Sequence, residues 1–365
     1  MTQNIERIPA GRARATRVTA ILDTVDRLID ERPLDRAYSL LKHLSTLIGP
    51  NDEVNRRLAR IHRTMVPRWH FPMLNDRARN EALARAIRET TNLCDKTVLD
   101  IGAGTGLLSM LAARHGAAHV YACEMVAPVA DKAREIIADN DYADRVTLIP
   151  KVSYDVRVGV DMPRRADVLL SETIDCGFVG EGFLGALRHA RSELLMPDAI
   201  LMPRAFSLHG ALLESDAVYR LNKVDDYVDG FRLGGFNELS TQSYFPVRLD
   251  SWPYRLLSDP HVLVAEDLAT YSFAPVDRTI ELRASATGQV HGIVFWFEAE
   301  LVQGVSLSNA PGGSPSHWMQ AFACFERPIA VAENDSVVIH FRFCEHAAEV
   351  SFLHTNTGQL PRYAA

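Results

Sequence analysis

The sequence predicts an α/β protein in which a helical block is followed by a Rossmann-like domain and then by a β-barrel. Three patterns predict this order: apolar residues at helical spacing in the first 65 residues, alternating strand-like and helix-like stretches after them, and short strand-like stretches near the carboxyl end. A chain of 365 residues has room for two or three domains. We place the domains at residues 1–66, 67–202 and 203–365.

The helical block is predicted from three apolar faces that helix breakers separate. Pro33 ends the first run and Gly49-Pro50 the second, and Asn51 or Asp52 can cap the third helix. The apolar positions recur every three or four residues: Val18, Ile21, Leu22, Val25, Leu28, Ile29; Leu34, Ala37, Leu41, Leu44, Ile48; Val54, Leu58, Ile61, Met65. We expect this block to serve packing or dimer contact rather than chemistry.

The middle of the chain alternates between strands and helices, as a parallel sheet with helices on both faces requires. One helix is predicted around residues 82–87. After it we predict strands at 97–101, 119–123, 146–149 and 167–170, and helices at 109–115, 129–139 and 182–195.

From about Pro203 onward, short strand-like stretches are separated by Gly, Pro and Asn. The clearest are the alternating apolar runs at 293–297 and 337–343, which are typical of a β-sandwich or β-barrel. Residues 222–250 fit neither class and are predicted to be an excursion from the barrel.

Composition and charge narrow the classes of function. A formal net charge of −7 argues against nucleic acid as a partner and mildly favours a cationic or neutral ligand. The five cysteines form no CxxC pair, so neither a disulfide framework nor a metal site is predicted. The amino terminus lacks the apolar core of a signal peptide, and no apolar run reaches the roughly 18 residues of a membrane span. We therefore predict a cytoplasmic protein, and its scarce lysine and abundant alanine suggest a bacterial source.

A glycine-rich loop follows the first strand of the predicted parallel sheet. Gly102, Gly104 and Gly106 allow a tight turn and a close approach of the backbone to a ligand. A dinucleotide site would need its third glycine at the position of Leu107, so the loop predicts S-adenosylmethionine instead. Glu124 ends the next strand, where a carboxylate can accept hydrogen bonds from both ribose hydroxyls. A loop that merely needs glycine is the weaker alternative.

Two glutamates bracket a glycine-containing loop after the fourth strand. Glu172 and Glu181 lie at the edge where an open α/β sheet presents its ligands. Like charges repel each other, and a guanidinium, which is permanently charged and offers five donors in a plane, would relieve that repulsion. A pair of solvated loop acids agrees equally well with the spacing alone. Asp175 is either a third acid at the site or a turn residue.

Four motifs resemble those of the protein arginine methyltransferase family and occur in the family's order. Residues 73–79 resemble the family's Met-Leu-x-Asp-x-x-Arg segment, and residues 100–109 resemble its cofactor motif. Ser171-Glu172 together with Glu181 resembles its double-glutamate loop. Residues 316–320 resemble its Thr-His-Trp loop, with Ser in place of Thr. The resemblance covers about residues 65–355 and is closest to the monomethylating branch. The first 65 residues have no counterpart in the minimal core of the family.

The resemblance implies S-adenosylmethionine as the cofactor, S-adenosylhomocysteine as its product, and no metal. The implied cofactor-binding residues are the loop residues Asp100, Gly102, Gly104 and Gly106, then Arg79 for the cofactor carboxylate, Glu124 for the ribose, and Val152 and Ser153 for the adenine. Many relatives have a glutamate at the adenine, and Ser153 cannot supply its charge. The tyrosine-rich segment that lids the cofactor in the family is absent, which leaves Trp69 or Phe71 to substitute for it.

For the acceptor, the resemblance implies that Glu172 and Glu181 clamp a guanidinium during an in-line methyl transfer. His317 would pair with Asp76 as the other catalytic residues, and Trp318 would wall the acceptor pocket. Without this context, a His-Trp pair is more often a packing element. The barrel and the segment at 222–250 match the family's β-barrel and dimerisation arm, which implies a homodimer.

The expected function is monomethylation of free L-arginine on an ω-nitrogen, in a bacterial natural-product pathway. The alternative within the family is methylation of arginine in a polypeptide. Two further alternatives are a methyltransferase for a hydroxyl or a carboxylate, which the paired glutamates disfavour, and a non-catalytic dimeric scaffold. Retention of the cofactor and acceptor motifs together argues against the scaffold.

Overall fold

The computed structural model describes residues 10–90, 93–313 and 316–356. Residues 1–9, on which part of the prediction about a signal peptide depends, lie outside the described residues. Residues 357–365, at the end of the predicted barrel domain, also lie outside them. No helix in the described part of the chain is long and apolar enough to span a membrane.

The predicted helical block consists of α1 (Ala10–Asp30), α2 (Leu34–Ile48) and α3 (Asp52–Met65). Asn51 caps α3, because its side chain accepts hydrogen bonds from the backbone N–H groups of Glu53 (3.0 Å) and Val54 (3.1 Å). The buried apolar residues of the block form a hydrophobic cluster separate from the main core: Leu22, Val25, Ile29, Ala37, Tyr38, Leu41, Leu44, Val54 and Ile61. The predicted helices are confirmed.

Two helices lead from the block to the parallel sheet, α4 (His70–Asn75) and α5 (Arg77–Glu89). Asp76 stands between them and caps α5, since its Oδ1 accepts a hydrogen bond from the backbone N–H of Arg79 (3.0 Å).

The predicted parallel sheet is confirmed, with the strand order β3-β2-β1-β4-β5. Its elements are β1 (Thr97–Ile101), α6 (Leu107–Arg114), β2 (His119–Cys123), α7 (Ala127–Asp139), β3 (Val146–Ile149), β4 (Ala166–Ser171), α8 (Phe183–His189) and β5 (Leu195–Met202). The predicted helix at 182–195 is shorter and continues as one π-helical turn, Ala190–Leu194. β5 is not predicted, because Pro197 and Asp198 interrupt its apolar pattern.

Two contacts dock the helical block on this domain through α7. The Tyr38 hydroxyl donates a hydrogen bond to Asp131 Oδ2 (2.9 Å), and Lys42 lies 3.6 Å from the same carboxylate. The block is therefore attached at the helix that follows β2.

The rest of the chain forms antiparallel sheets. Its elements are β6 (Ala205–Glu214), α9 (Asp216–Tyr219), β7 (Tyr227–Val228), β8 (Phe231–Arg232), β9 (Tyr244–Val247), β10 (Arg255–Leu256), β11 (His261–Asp267), β12 (Val276–Arg283), β13 (Gly288–Val302), β14 (Val305–Ser308), β15 (Gln320–Val331), β16 (Ser336–Cys344) and β17 (Ala347–Thr355). Seven strands hydrogen-bond into one sheet around β6, β13 and β15, and β12, β16 and β17 form another. Within the described residues these sheets do not join into a closed barrel, although one hydrophobic core continues from them into the parallel sheet.

The predicted excursion leaves the seven-stranded sheet after α9 and returns at β9, where Tyr244 pairs with Ala323 of β15. It carries the short hairpin of β7 and β8. We call residues 222–243 the arm. Many large apolar side chains of this region are exposed: Leu221, Val224, Tyr227, Val228, Phe231, Leu233, Phe236 and Leu239. The arm is shorter than predicted, since residues 244–247 belong to the sheet.

Candidate active site

A cavity of about 350 Å³ opens beyond the carboxyl ends of β1, β2 and β4. This is the edge at which open α/β sheets bind ligands, and the volume lies in the range of small-molecule sites. The segment 65–74, which joins the helical block to the sheet, covers one side of it through Met65, Pro67, Trp69, His70, Met73 and Leu74. Of the two candidate lid residues, Trp69 lines the cavity and stacks on His70, whereas Phe71 is exposed and does not line it.

The glycine loop forms the floor of the cavity. Gly102, Gly104 and Gly106 all have positive φ angles, of 78°, 55° and 81°. A Cβ atom at Gly102 would overlap Thr173, and one at Gly106 would lie 2.9 Å from Ile137, whereas one at Gly104 would meet no atom within 4 Å. The loop is therefore packed from behind and open towards the cavity at Gly104, which lets a ligand approach the backbone closely.

Two carboxylates support this loop. Glu124 lines the cavity and accepts hydrogen bonds from the backbone N–H groups of Gly104 (3.0 Å) and Val126 (2.8 Å). Burial raises the pKa of Glu124, and these hydrogen bonds lower it in part. Asp100 is buried behind the loop, where its Oδ2 accepts a hydrogen bond from Ser109 (2.6 Å) and burial raises its pKa to about 6. Its Oδ1 has no hydrogen-bond partner among the described residues.

The side of the cavity next to β3 is lined by Val152, Ser153 and Tyr154. Lys151 also lines it, and its ammonium group is held by Asp161 Oδ1 at 2.5 Å. The expected adenine-binding residues thus face the same cavity as the glycine loop and Glu124.

Glu172 contacts a guanidinium within the protein itself. Its Oε2 accepts hydrogen bonds from Nε (2.8 Å) and Nη2 of Arg79, and the two side chains are only 4% and 6% exposed. Burial lowers the pKa of Arg79 to about 10, so this guanidinium remains protonated at neutral pH. The pair shows that the Glu172 carboxylate is placed and oriented to hold a planar cation at the cavity wall.

Glu181 lines the same cavity but has a different electrostatic environment. The residue as a whole is exposed, yet burial of its carboxyl group and the neighbouring Asp175 carboxylate raise its pKa to about 7. The positive charge of Arg79 lowers this pKa only in part. The Glu181 carboxyl group can therefore gain or lose a proton near neutral pH.

His317 and Asp76 form a pair beside the cavity rather than in its lining. Asp76 Oδ2 lies 3.0 Å from His317 Nδ1 and accepts hydrogen bonds from the His317 backbone N–H (2.8 Å) and the Ser316 hydroxyl (3.2 Å). Burial acts to raise the pKa of Asp76, but hydrogen bonds from Arg79 and His317 outweigh it, so the pKa is lowered. Burial lowers the pKa of His317.

We call the loop between β4 and α8, which carries Glu172 and Glu181, the acceptor loop. Trp318 packs against this loop and does not line the cavity. Its indole N–H donates a hydrogen bond to the backbone carbonyl of Ile174 (2.8 Å), and its ring packs edge-on against Phe297. A buried indole N–H needs an acceptor, and the nearest one belongs to the loop that carries both glutamates. In the structure Trp318 supports this loop, and its role as a wall of the acceptor pocket stays a prediction.

Two residues that the sequence does not single out also hold the acceptor loop. Asn309 donates hydrogen bonds to the carbonyls of Cys176 (3.0 Å) and Met319 (2.6 Å), and Tyr244 donates one to Asp175 (2.7 Å). Both are distant from the loop in sequence, so no local pattern predicts these contacts. Within the described ranges, no cluster of His, Cys, Asp and Glu side chains could hold a metal ion.

The chain matches two family models. It matches the arginine methyltransferase oligomerization subdomain over residues 207–355 and the ribosomal protein L11 methyltransferase (PrmA) over residues 82–173. Its sequence is 43% identical over 293 residues to an arginine N(omega)-methyltransferase of Streptomyces achromogenes subsp. streptozoticus, which covers 80% of this chain and 81% of that protein. It is 31% identical to protein arginine N-methyltransferase 7 of Drosophila ananassae, over 72% of this chain but only 44% of that protein.

Solved structures share the fold. A chain of the Trypanosoma brucei PRMT1 enzyme-prozyme heterotetrameric complex with AdoHcy has a TM-score of 0.67 at 24% identity. The crystal structure of PRMT6 has a TM-score of 0.62 at 19% identity. Each alignment covers 78% of this chain and 98% of the other.

Proposed function

Because the chain belongs to the protein arginine methyltransferase family, we propose that it is an S-adenosylmethionine-dependent arginine N-methyltransferase. The observation that carries this proposal is the buried contact between Glu172 and the guanidinium of Arg79 at the cavity wall. Both hydrogen bonds from Arg79 reach Oε2, so Oε1 of the same carboxylate can accept a hydrogen bond from the guanidinium of a substrate.

The residues around the cavity fit the cofactor. Gly104 lets it approach the backbone, Glu124 would accept hydrogen bonds from its ribose, and Val152 and Ser153 would contact its adenine. Glu172 and Asn80 use three of the five N–H groups of Arg79, which leaves donors for the cofactor carboxylate. When bound, S-adenosylmethionine supplies the methyl group from its sulfonium.

Glu172 and Glu181 would stabilise the transition state more than the ground state, because positive charge moves onto the guanidinium between them as the methyl group is transferred. They would also fix the attacking nitrogen, and positioning of this kind lowers a barrier by up to about 7–11 kcal/mol. The acceptor nitrogen loses one proton when it gains the methyl group. Since a free guanidinium keeps its proton up to about pH 12, this proton leaves during or after the transfer. Glu181, with a pKa of about 7, or the His317–Asp76 pair would take it.

We propose free L-arginine as the acceptor, monomethylated on an ω-nitrogen in a bacterial natural-product pathway. The name of the Streptomyces relative and its extensive identity support this choice. The second candidate is arginine in a polypeptide, which the name of the Drosophila relative favours. The net charge of −7 suits a small cation and an Arg/Gly-rich peptide equally.

Mass spectrometry of reactions with S-adenosylmethionine tests these proposals. Free L-arginine should gain one methyl group, and Glu172→Gln should lower the rate about 10²–10³-fold, as loss of one preorganised electrostatic partner does. Glu193→Gln, at an exposed position outside the cavity, serves as the matched control. Methylation of an Arg/Gly-rich peptide alone would overturn the choice of acceptor. If neither acceptor reacts while the cofactor binds, the guanidine proposal is wrong.

A homodimer that forms through the arm, and function in the cytoplasm, are further parts of the proposal. The exposed apolar side chains of the arm and the match to an oligomerization subdomain support the dimer. The five cysteines of the structure are free thiols, which is typical of a reducing compartment.

A further inference from the structure

Asp175 organises the loop between the two acceptor glutamates. Its Oδ1 accepts hydrogen bonds from the backbone N–H groups of Gly177 (3.1 Å) and Gly180 (2.8 Å), and its Oδ2 accepts one from the Tyr244 hydroxyl (2.7 Å). The Cys176 thiol also donates to Oδ2, at 3.9 Å, so this one carboxylate receives four donors. Gly180 directly precedes Glu181, so the backbone that carries Glu181 is fixed to Asp175.

The backbone of this loop comes very close to Tyr244 and to the Asp175 carboxylate at two glycines. A Cβ atom at Gly177 would overlap the ring of Tyr244, and one at Gly180 would overlap the carboxylate of Asp175. Both glycines are therefore required by the close approach of Asp175 and Tyr244 to the loop backbone.

Tyr244 connects this loop to the arm. It is the first residue of β9, where the arm returns to the seven-stranded sheet and pairs with β15, and its ring packs edge-on against Phe295. Both backbone pairing and ring packing thus fix its position. Its hydroxyl reaches the acceptor loop from a different sheet.

We propose that Asp175 and Tyr244 are positioning residues for the acceptor site: Tyr244 orients Asp175, and Asp175 sets the place of Glu181 and the electrostatic field around it. This inference rests on the proposed methyl transfer to a guanidinium. Neither residue lines the cavity, so neither is assigned a contact with the substrate or the cofactor.

The charges around Glu181 support the second half of this inference. Burial is the largest cause of the raised pKa of Glu181, the Asp175 carboxylate raises this pKa further, and the Arg79 guanidinium lowers it. The Cys176 thiol also faces this region, but burial raises its pKa, so it stays neutral over the working pH range. Replacing Asp175 by asparagine removes the charge and keeps an oxygen that can accept the two glycine N–H groups. The Asn Nδ2 can then donate to Tyr244.

The first test follows kcat/KM against pH, from about pH 5.5 to about pH 9. The wild-type rate should rise with pH through about 7, as the Glu181 carboxyl group ionises. Asp175→Asn should shift this rise to lower pH.

Tyr244→Phe should lower kcat/KM about 10-fold, as expected for a lost hydrogen bond to a charged group, and leave the cofactor Kd unchanged. Tyr254→Phe and Asp250→Asn, which alter another Tyr–Asp contact in the segment between β9 and β10, are the matched controls.

The second test does not depend on activity. A double-mutant cycle of Asp175→Asn and Glu181→Gln, measured by denaturant unfolding at about pH 7.5, should show coupling between the two positions. Glu181→Gln should stabilise the wild type, and it should stabilise the Asp175→Asn variant less. Additive effects together with a wild-type pH profile would overturn the inference and leave the proposed function intact. Coupling in a protein that methylates no guanidine would support the placement of Glu181 and refute the proposed function.

Discussion

The two acceptor glutamates differ in which charges they contact. Glu172 forms an ion pair with Arg79 and stays ionised, whereas Glu181 lies beside the negative Asp175. A pair with one fixed anion and one group that titrates near neutral pH suits a reaction in which a cation must be held and a proton removed. The same asymmetry has a cost in stability that can be measured.

Glu181→Gln should raise the melting temperature at neutral and higher pH. The folded pKa of Glu181, about 7, lies above the unfolded value of about 4.3, so the folded protein binds more protons between these pH values and loses stability as pH rises through them. Glutamine removes this loss. The gain, measured by calorimetry, should be clear at about pH 8 and absent near about pH 4. An equal gain at both pH values would indicate a packing effect instead.

Gly104→Ala should weaken cofactor binding more than it weakens the fold. Its φ of 55° makes alanine unfavourable by about 1–2 kcal/mol, and the added Cβ would point into open space at the cavity. Gly159→Ala is a matched control, because its φ is also positive (86°) and its Cβ would also meet no atom. Calorimetric titration with S-adenosylmethionine should show a higher Kd for Gly104→Ala only, at similar losses in melting temperature. Equal Kd values would mean that the cofactor does not approach Gly104.

Among the elements, those with a local signal are predicted well. Helical spacing with breakers at Pro33 and Gly49 gives the three helices of the block, and the strands at 119–123 and 146–149 have the predicted bounds. The strand, glycine loop, helix and Glu124 are also encoded within one short segment. Short-range backbone and side-chain preferences are sufficient there.

Features that depend on distant residues are not predicted. β5 is stabilised by pairing with β4 despite Pro197, and a pairing partner is invisible in a local pattern. The sequence brings Glu172 and Glu181 together by their spacing, but it does not reveal that Arg79 contacts Glu172 or that Tyr244 reaches the loop. The position of Trp318 follows from the carbonyl of Ile174, which belongs to another domain of the predicted fold.

At the scale of the whole molecule, the exposed apolar side chains of the arm predict a dimer, and charged substitutions in the arm should disrupt it. Phe231 and Leu239 are 71% and 76% exposed in the single chain. Burying such a side chain contributes about 1.5–3 kcal/mol, so replacing both by aspartate should weaken association at least about 10²-fold. Light scattering after size exclusion should give the dimer mass for the wild type and the monomer mass for this variant. Val160→Asp, at a position 77% exposed outside the arm, should remain dimeric.

The separate hydrophobic cluster of the helical block has a consequence for hydrogen exchange. A block with its own core can open without unfolding the rest, so its amide groups should exchange with deuterium as one unit, faster than those of β1 or β13. Met65 at the end of α3 lines the cofactor cavity, and Tyr38 ties the block to the helix that follows Glu124. Cofactor binding should therefore slow exchange throughout α1, α2 and α3, most of whose residues lie outside the cavity. Protection confined to the cavity lining would show that the block opens independently of the bound cofactor.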